Sequence, residues 1–208
     1  MPKIDSLEAL MIDELCDLLD AEKQVAKALP KMAKAASSEE LRAAFVEHQR
    51  QTAGQIERLN QVFEHLGERA QGKKCEGMKG LIEEGQQMLG EVEAGPTRDA
   101  LLIAAAQKVE HYEIASYGTA RTYASQLGQP KAAALLEQTL KEERATDEKL
   151  TGIAESSSNP RAAEGASDYR EGRRRKSESV RGAASSEDRP RRSNGGRKQS
   201  GSRGRRSR

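Results

Sequence analysis

Over the first 155 positions, apolar residues recur with the period of amphipathic helices, and after that the pattern stops. Met11, Leu15, Leu18, Val25 and Leu29 follow one another at intervals of three, four or seven, which stacks them on one helix face. Ser6 stands ahead of this series as a cap with Glu8 behind it, and Pro30 predicts a kink, or an end followed by a further turn over 31–36. Ser37 or Ser38 then caps a second helix, helped by Glu40, that runs to about His65 and stops at Gly67. Its stripe reads Leu41, Phe45, His48, Thr52, Gln55, Leu59, Val62, apolar at both ends and polar in the middle.

A polar loop over 68–76 leads into a shorter amphipathic segment with Met78, Leu81, Ile82, Met88, Leu89 and Val92 on its apolar side. Glycines at 77, 80, 85 and 90 make it the weakest helix former of the set, a connecting helix that ends at Gly95-Pro96. Thr97 caps a third long helix ending at Gly128-Gln129-Pro130, and a fourth occupies 131–154 with Leu136, Leu140 and Leu150 on its stripe. Four long helices with short connections and one crossover predict an all-α, ferritin-like four-helix bundle with an extra short crossover helix, over residues 1–155.

The inner stripes carry groups that do not belong in an apolar core. Glu22 lies between Leu18 and Val25; His48 comes with Gln51 or Gln55; Glu110 and Glu113 sit beside Val109, Ile114 and Tyr117; Glu143 and Asp147 follow Leu140. An ionised carboxylate in such a place costs several kcal/mol unless it is paired or bound to a metal. For Asp147 alone, a packed stem with its head in water explains the position as well, and His48 alone reads equally as a hydrogen-bonded core histidine. Glu110 and Glu113 resist that explanation, because two carboxylates one turn apart coincide with partners on three other helices. A pair of first-row divalent ions would neutralise most of the charge, and oxygen-rich ligation with one imidazole suits iron or manganese. His65 and His111 are left out of this set, and Tyr112 and Tyr117 read as packing residues, although a tyrosine beside a redox metal can also carry electrons.

Charge changes the picture beyond residue 155. Residues 156–208 hold 16 Lys or Arg against 6 Asp or Glu, a net +10, whereas residues 1–155 hold 19 against 27, a net −8. The Ser-, Gly- and Arg-rich tail lacks large apolar residues apart from Tyr169 and Val180, so it is expected to be disordered. Its clusters include Arg173, Arg174, Arg175 and Lys176, then Arg191 and Arg192, then Arg205 and Arg206, and they suit non-specific contact with DNA or RNA phosphates. Cys16 and Cys75, without CxxC spacing, read as reduced thiols. The longest apolar run, about residues 100–106, falls far short of the roughly 18–20 residues of a membrane span, and the first residues do not form a leader. A cytoplasmic protein without membrane contact is expected.

The segments DAEKQ (20–24), ALPKMAKA (28–35), GQIERLNQVF (54–63), MKGLIEEG (78–85), KVEHYEIASYGT (108–119) and LLEQTLKEERATDEKLT (135–151) resemble the YciE/YciF-like family of bacterial stress-associated, ferritin-like proteins. The resemblance spans about residues 5–155. It implies a rubrerythrin-like bundle, often a homodimer, with a dinuclear metal site, and it carries ligand roles to Glu22, Glu110, Glu113 and Glu143. Two departures follow. Where the family has HxxET on the second helix, this chain reads His48-Gln49-Arg50-Gln51-Thr52, so Gln51 is expected to coordinate through its carbonyl in place of a carboxylate. The fourth-helix histidine is also absent, with Thr146 and Asp147 nearby, so the second ion is expected to be held weakly.

Overall fold

The computed structural model describes residues 4–69 and 73–165. Helix α1 (Leu7–Ala35) starts where the Ala9 amide donates to Ser6 Oγ at 3.1 Å. It continues past Pro30, which lies on the exposed face, where water can satisfy the carbonyl that the ring leaves unbonded. Helix α2 (Glu39–Leu66) is capped by Ser38, whose Oγ accepts from Leu41 N at 3.4 Å, and it closes at Gly67 with the left-handed φ of 70° that glycine tolerates best. The crossover helix α3 (Glu76–Leu89) is capped by Cys75, whose Sγ accepts from Met78 N at 3.3 Å.

Helix α4 (Pro96–Gln126) begins differently from the sequence expectation. Gly95 takes the cap position and Pro96 the first turn, where no amide donor is needed, so Thr97 lies inside the helix. The buried Asp99 of that first turn reaches across to the α1–α2 corner. Its two oxygens accept from Ser37 N at 2.7 Å and Ser38 N at 2.9 Å, while Ser37 Oγ accepts from Gly95 N at 3.0 Å. The corner is thus tied to the start of α4 by charge-assisted bonds.

Helix α5 (Pro130–Ile153) does not stop at 155. A π-helical stretch (Ala154–Ser158) carries it on, and the chain stays helical over 159–165. Ala154 and Ser158 are buried, and the stretch packs on α4. The serine run, expected to open the disordered tail, is therefore helical and part of the packed body. The expected tail boundary moves to the end of this helix, and the basic clusters from Arg173 to Arg206 lie outside the described residues.

The four long helices form a ring: α1 packs on α2 and α4, and α5 packs on the same two neighbours. Helix α3 lies outside this ring against α4 and α1. This is the all-α, ferritin-like arrangement that the periodicity predicts. Two separate apolar clusters fill it. Val25, Leu29, Leu41, Phe45, Leu102 and Leu150 belong to one, and Leu15, Leu18, Leu59, Val62, Leu136 and Leu140 to the other. Between them every long helix contributes buried polar groups: Glu22, His48 with Thr52 and Gln55, Glu110 with Glu113, and Glu143. Among the described residues no helix is long and apolar enough to cross a membrane.

Candidate metal centre

The polar layer gathers His48, Glu110, Glu113 and Glu143 so tightly that one ligand atom from each lies within 4.8 Å of the others. All four are buried, at 2% exposure or less. His48 Nδ1 stands 3.3 Å from Glu110 Oε1, and Nε2 stands 3.7 Å from Glu143 Oε2. Burial pushes the imidazole down to about 4, so it is neutral and these approaches are not ion pairs.

Burial, reinforced by the neighbouring carboxylates, lifts Glu22, Glu110 and Glu113 well above the usual carboxylate range. Burial also raises Glu143 to about 7. Without a cation, burial and mutual repulsion disfavour the charged forms of these acids. Both nitrogens of His48, both oxygens of Glu110 and of Glu113, and Oε2 of Glu143 have no hydrogen-bond partner among the described residues. Buried polar atoms are rarely left in this condition, because each carries its full desolvation cost. Carboxylate oxygens around one neutral imidazole are the donor set of a first-row divalent ion, so the residues present fit a metal.

Outside the four, partners fix the remaining groups. Gln55 donates to Glu143 Oε1, leaving Oε2 for the centre, and also reaches Glu142 Oε2 at 3.3 Å. Arg58 grips Glu142 through both nitrogens, at 3.0 and 2.8 Å, and donates to Thr139 Oγ1 at 2.5 Å. Opposite, Tyr117 Oη donates to Glu22 Oε1 at 2.5 Å, with both side chains buried. Such outer contacts orient ligands and set their basicity.

The sequence-derived residues divide accordingly. His48, Glu110, Glu113 and Glu143 come together, and Glu22 borders them closely enough to raise the Glu113 carboxyl. Gln51 is only half-buried and its Oε1 accepts from Thr146 Oγ1 at 3.4 Å, outside the cluster. Seven residues on from His48 return to within about 20° of the same helix line, whereas three leave it about 60° away, so Gln55 holds the inner position. Asp147 also lies outside the four, accepting from Gln107 Nε2 at 3.0 Å and facing the exposed His111 Nε2 at 3.3 Å. Sequence reasoning missed the role of Tyr117, although its place four residues after Glu113 marks it as a neighbour of the same stripe.

The family described as a domain of unknown function, DUF892, matches residues 6–163. The chain belongs to this family. It is 51% identical to Protein YciF of Escherichia coli strain K12 over 158 residues, covering 76% of this chain and 95% of that protein. The crystal structure of the E. coli stress protein YciF superposes with a TM-score of 0.71 at 52% identity, over 73% of this chain and 96% of that one. YcfI of Rhodopseudomonas palustris superposes equally well, with a TM-score of 0.71 at 41% identity, over 72% and 96% of the two chains. The protein is thus a homologue of a stress protein, and its basic C-terminal segment lies beyond the DUF892 match.

Proposed function

We propose that this DUF892 protein uses a pair of iron or manganese ions, held by buried carboxylates, to handle oxygen, peroxide or ferrous iron under stress. The observation that supports it is the set of buried, unpartnered ligand atoms on His48, Glu110, Glu113 and Glu143. These four would hold the first ion. Glu22 and the carbonyl of Gln55, whose Oε1 is also unpartnered, would help to hold the second, and a neutral amide makes that ion the weaker. When bound, such ions supply electrons for reducing oxygen or peroxide and the positive charge that ionised carboxylates need.

The chain's own residues set the conditions for that chemistry. The two apolar clusters exclude water from both ends of the layer. Glu143, raised to about 7, can take up or release a proton at Oε2 near neutral pH. Gln55 and Tyr117 keep Glu143 and Glu22 turned inward. Metal content after anaerobic loading, followed by oxidation of added ferrous ion with peroxide or dioxygen, tests the reading. Loading far below one ion per chain overturns it.

The net +10 of residues 156–208 favours a second, compatible role, in which Arg173, Arg174, Arg175, Lys176, Arg191, Arg192, Arg205 and Arg206 hold nucleic-acid phosphates. Full-length protein would retard DNA at low salt and lose the effect at high salt. A chain lacking residues 167–208 would not retard it, and absence of retardation by the intact protein at low salt contradicts this role.

A further inference from the structure

Two cavities meet at His48. The first, about 110 Å³, lies between α2 and α5, where Glu47, Gln51, Thr146 and Lys149 share its wall with Ala44, Phe45, Ala145 and Leu150. The second, about 60 Å³, lies among α1, α3 and α4. Exposed Lys31 and Gln86 mark its outer end, and its walls are aliphatic, with Val25, Leu29, Leu81, Ile82 and Ala106 among them. At its inner end it touches only two polar side chains, His48 and Glu110. Both are at least 98% buried, and their ring nitrogens and carboxylate oxygens are unpartnered. Helix α3 closes the outer wall by close approach, since a Cβ on Gly85 would stand 3.2 Å from Ala105 Cβ.

The chemistry of the walls selects an occupant. A ferrous ion entering the aliphatic passage would shed its water with nothing to replace it, a cost of several kcal/mol or more. Hydrogen peroxide carries two hydroxyls that would likewise lose their hydrogen bonds along the passage. Dioxygen has no such groups to satisfy, and apolar cavities on this scale take up small apolar molecules. The cavity on the other side of His48 has Glu47, Gln51, Thr146 and Lys149 in its mixed wall, which offer hydrated ions and peroxide the partners that the aliphatic one lacks.

We propose that the aliphatic cavity is a dioxygen site that opens onto His48 and Glu110, and that ions and peroxide approach His48 from the α2–α5 side. The delivery part of this proposal rests on the metal-centre reading, whereas gas binding does not require it. The test is methyl relaxation by NMR on the metal-free full-length chain under oxygen pressure. Paramagnetic enhancement at Val25, Leu29, Leu81 and Ile82 is expected to exceed several-fold that at Leu15, Leu59 and Leu136, which are equally or more deeply buried in the other apolar cluster. Equal enhancement in both groups overturns the gas site.

Ala28→Phe, or Ala105→Leu if the first variant does not fold, fills the cavity from a half-buried wall position. Either variant is expected to abolish the extra enhancement and, in metal-loaded protein, to slow oxidation by dioxygen roughly tenfold while leaving oxidation by peroxide unchanged. An unchanged dioxygen rate in a variant that has lost the enhancement overturns delivery, and so does equal slowing with both oxidants. Enhancement without metal uptake leaves the gas site standing and removes the metal-centre reading. Metal uptake without enhancement removes the gas site alone.

Discussion

Tyr117 on α4 and Glu22 on α1 share a 2.5 Å hydrogen bond in which both partners are fully buried. Burial and the facing Glu22 push the phenol's ionisation well above its ordinary range, so Tyr117 remains a donor at any pH the protein meets. Replacing Tyr117 by Phe keeps the ring packed and leaves Glu22 Oε1 without its donor. The expected result is a loss of about 1–3 kcal/mol in urea unfolding of the metal-free chain. Weaker uptake of the second ion, measured by metal titration, is expected alongside it. Unchanged second-ion affinity would confine Tyr117 to packing.

The amide beside the centre gives a paired prediction. Gln55→Glu places a further carboxylate against Glu143 and is expected to raise metal occupancy while lowering metal-free stability. Gln51→Glu, at the half-buried rim, is expected to change neither by a measurable amount. The reverse ranking in metal content and thermal melts would mean that Gln51 turns inward when metal binds.

That contrast shows how far the sequence could be read. The polar middle of α2, the one-turn spacing of Glu110 and Glu113, and the carboxylates at Glu22 and Glu143 all mark the buried layer, because a 3.6-residue period ties position to face. Gln51 and Gln55 both fall near that face, but Gln55 lies about 20° from the His48 line against about 60° for Gln51, and it is Gln55 that packs against Glu143. The cap of α4 departs from the sequence pattern for a different reason. Thr97 has the right chemistry, but Pro96 fits the first turn and Asp99 is committed to the Ser37–Ser38 corner. The end of α5 was hidden because serines suit both a linker and a helix turn, and only the burial of Ala154 and Ser158 decides between them.

The Asp99 corner offers a stability test away from the centre. Asp99→Ala removes the acceptor for two backbone amides and is expected to cost about 2–3 kcal/mol. Metal content per folded chain is expected to stay constant, and a parallel loss of metal would show that the corner also shapes the buried layer.

Stability against pH should differ in slope with and without metal. Because the folded carboxylates of Glu22, Glu110 and Glu113 are raised and Glu143 lies at about 7, the metal-free fold holds protons that the unfolded chain has released. Their contribution is complete below the ordinary carboxylate value and is lost as pH rises through the folded values. His48 acts oppositely, since the unfolded chain takes up its proton below about 6.5 while the fold resists until about 4. Four acids outweigh one imidazole, so the metal-free melting temperature is expected to fall from about pH 5 to 8. Metal must displace those protons, so the gain in melting temperature on adding manganese is expected to grow over the same range. Parallel curves would contradict this.

The proposed role of the buried acids is to hold a cation, and Glu113→Met tests it most directly when metal content and metal-free stability are measured together. A ligand replaced by an apolar side chain of similar size is expected to lose most of the bound iron or manganese and to make the metal-free chain more stable, because a buried, unpartnered carboxyl is gone. Undiminished metal content in the variant, or a less stable metal-free fold, would contradict the account.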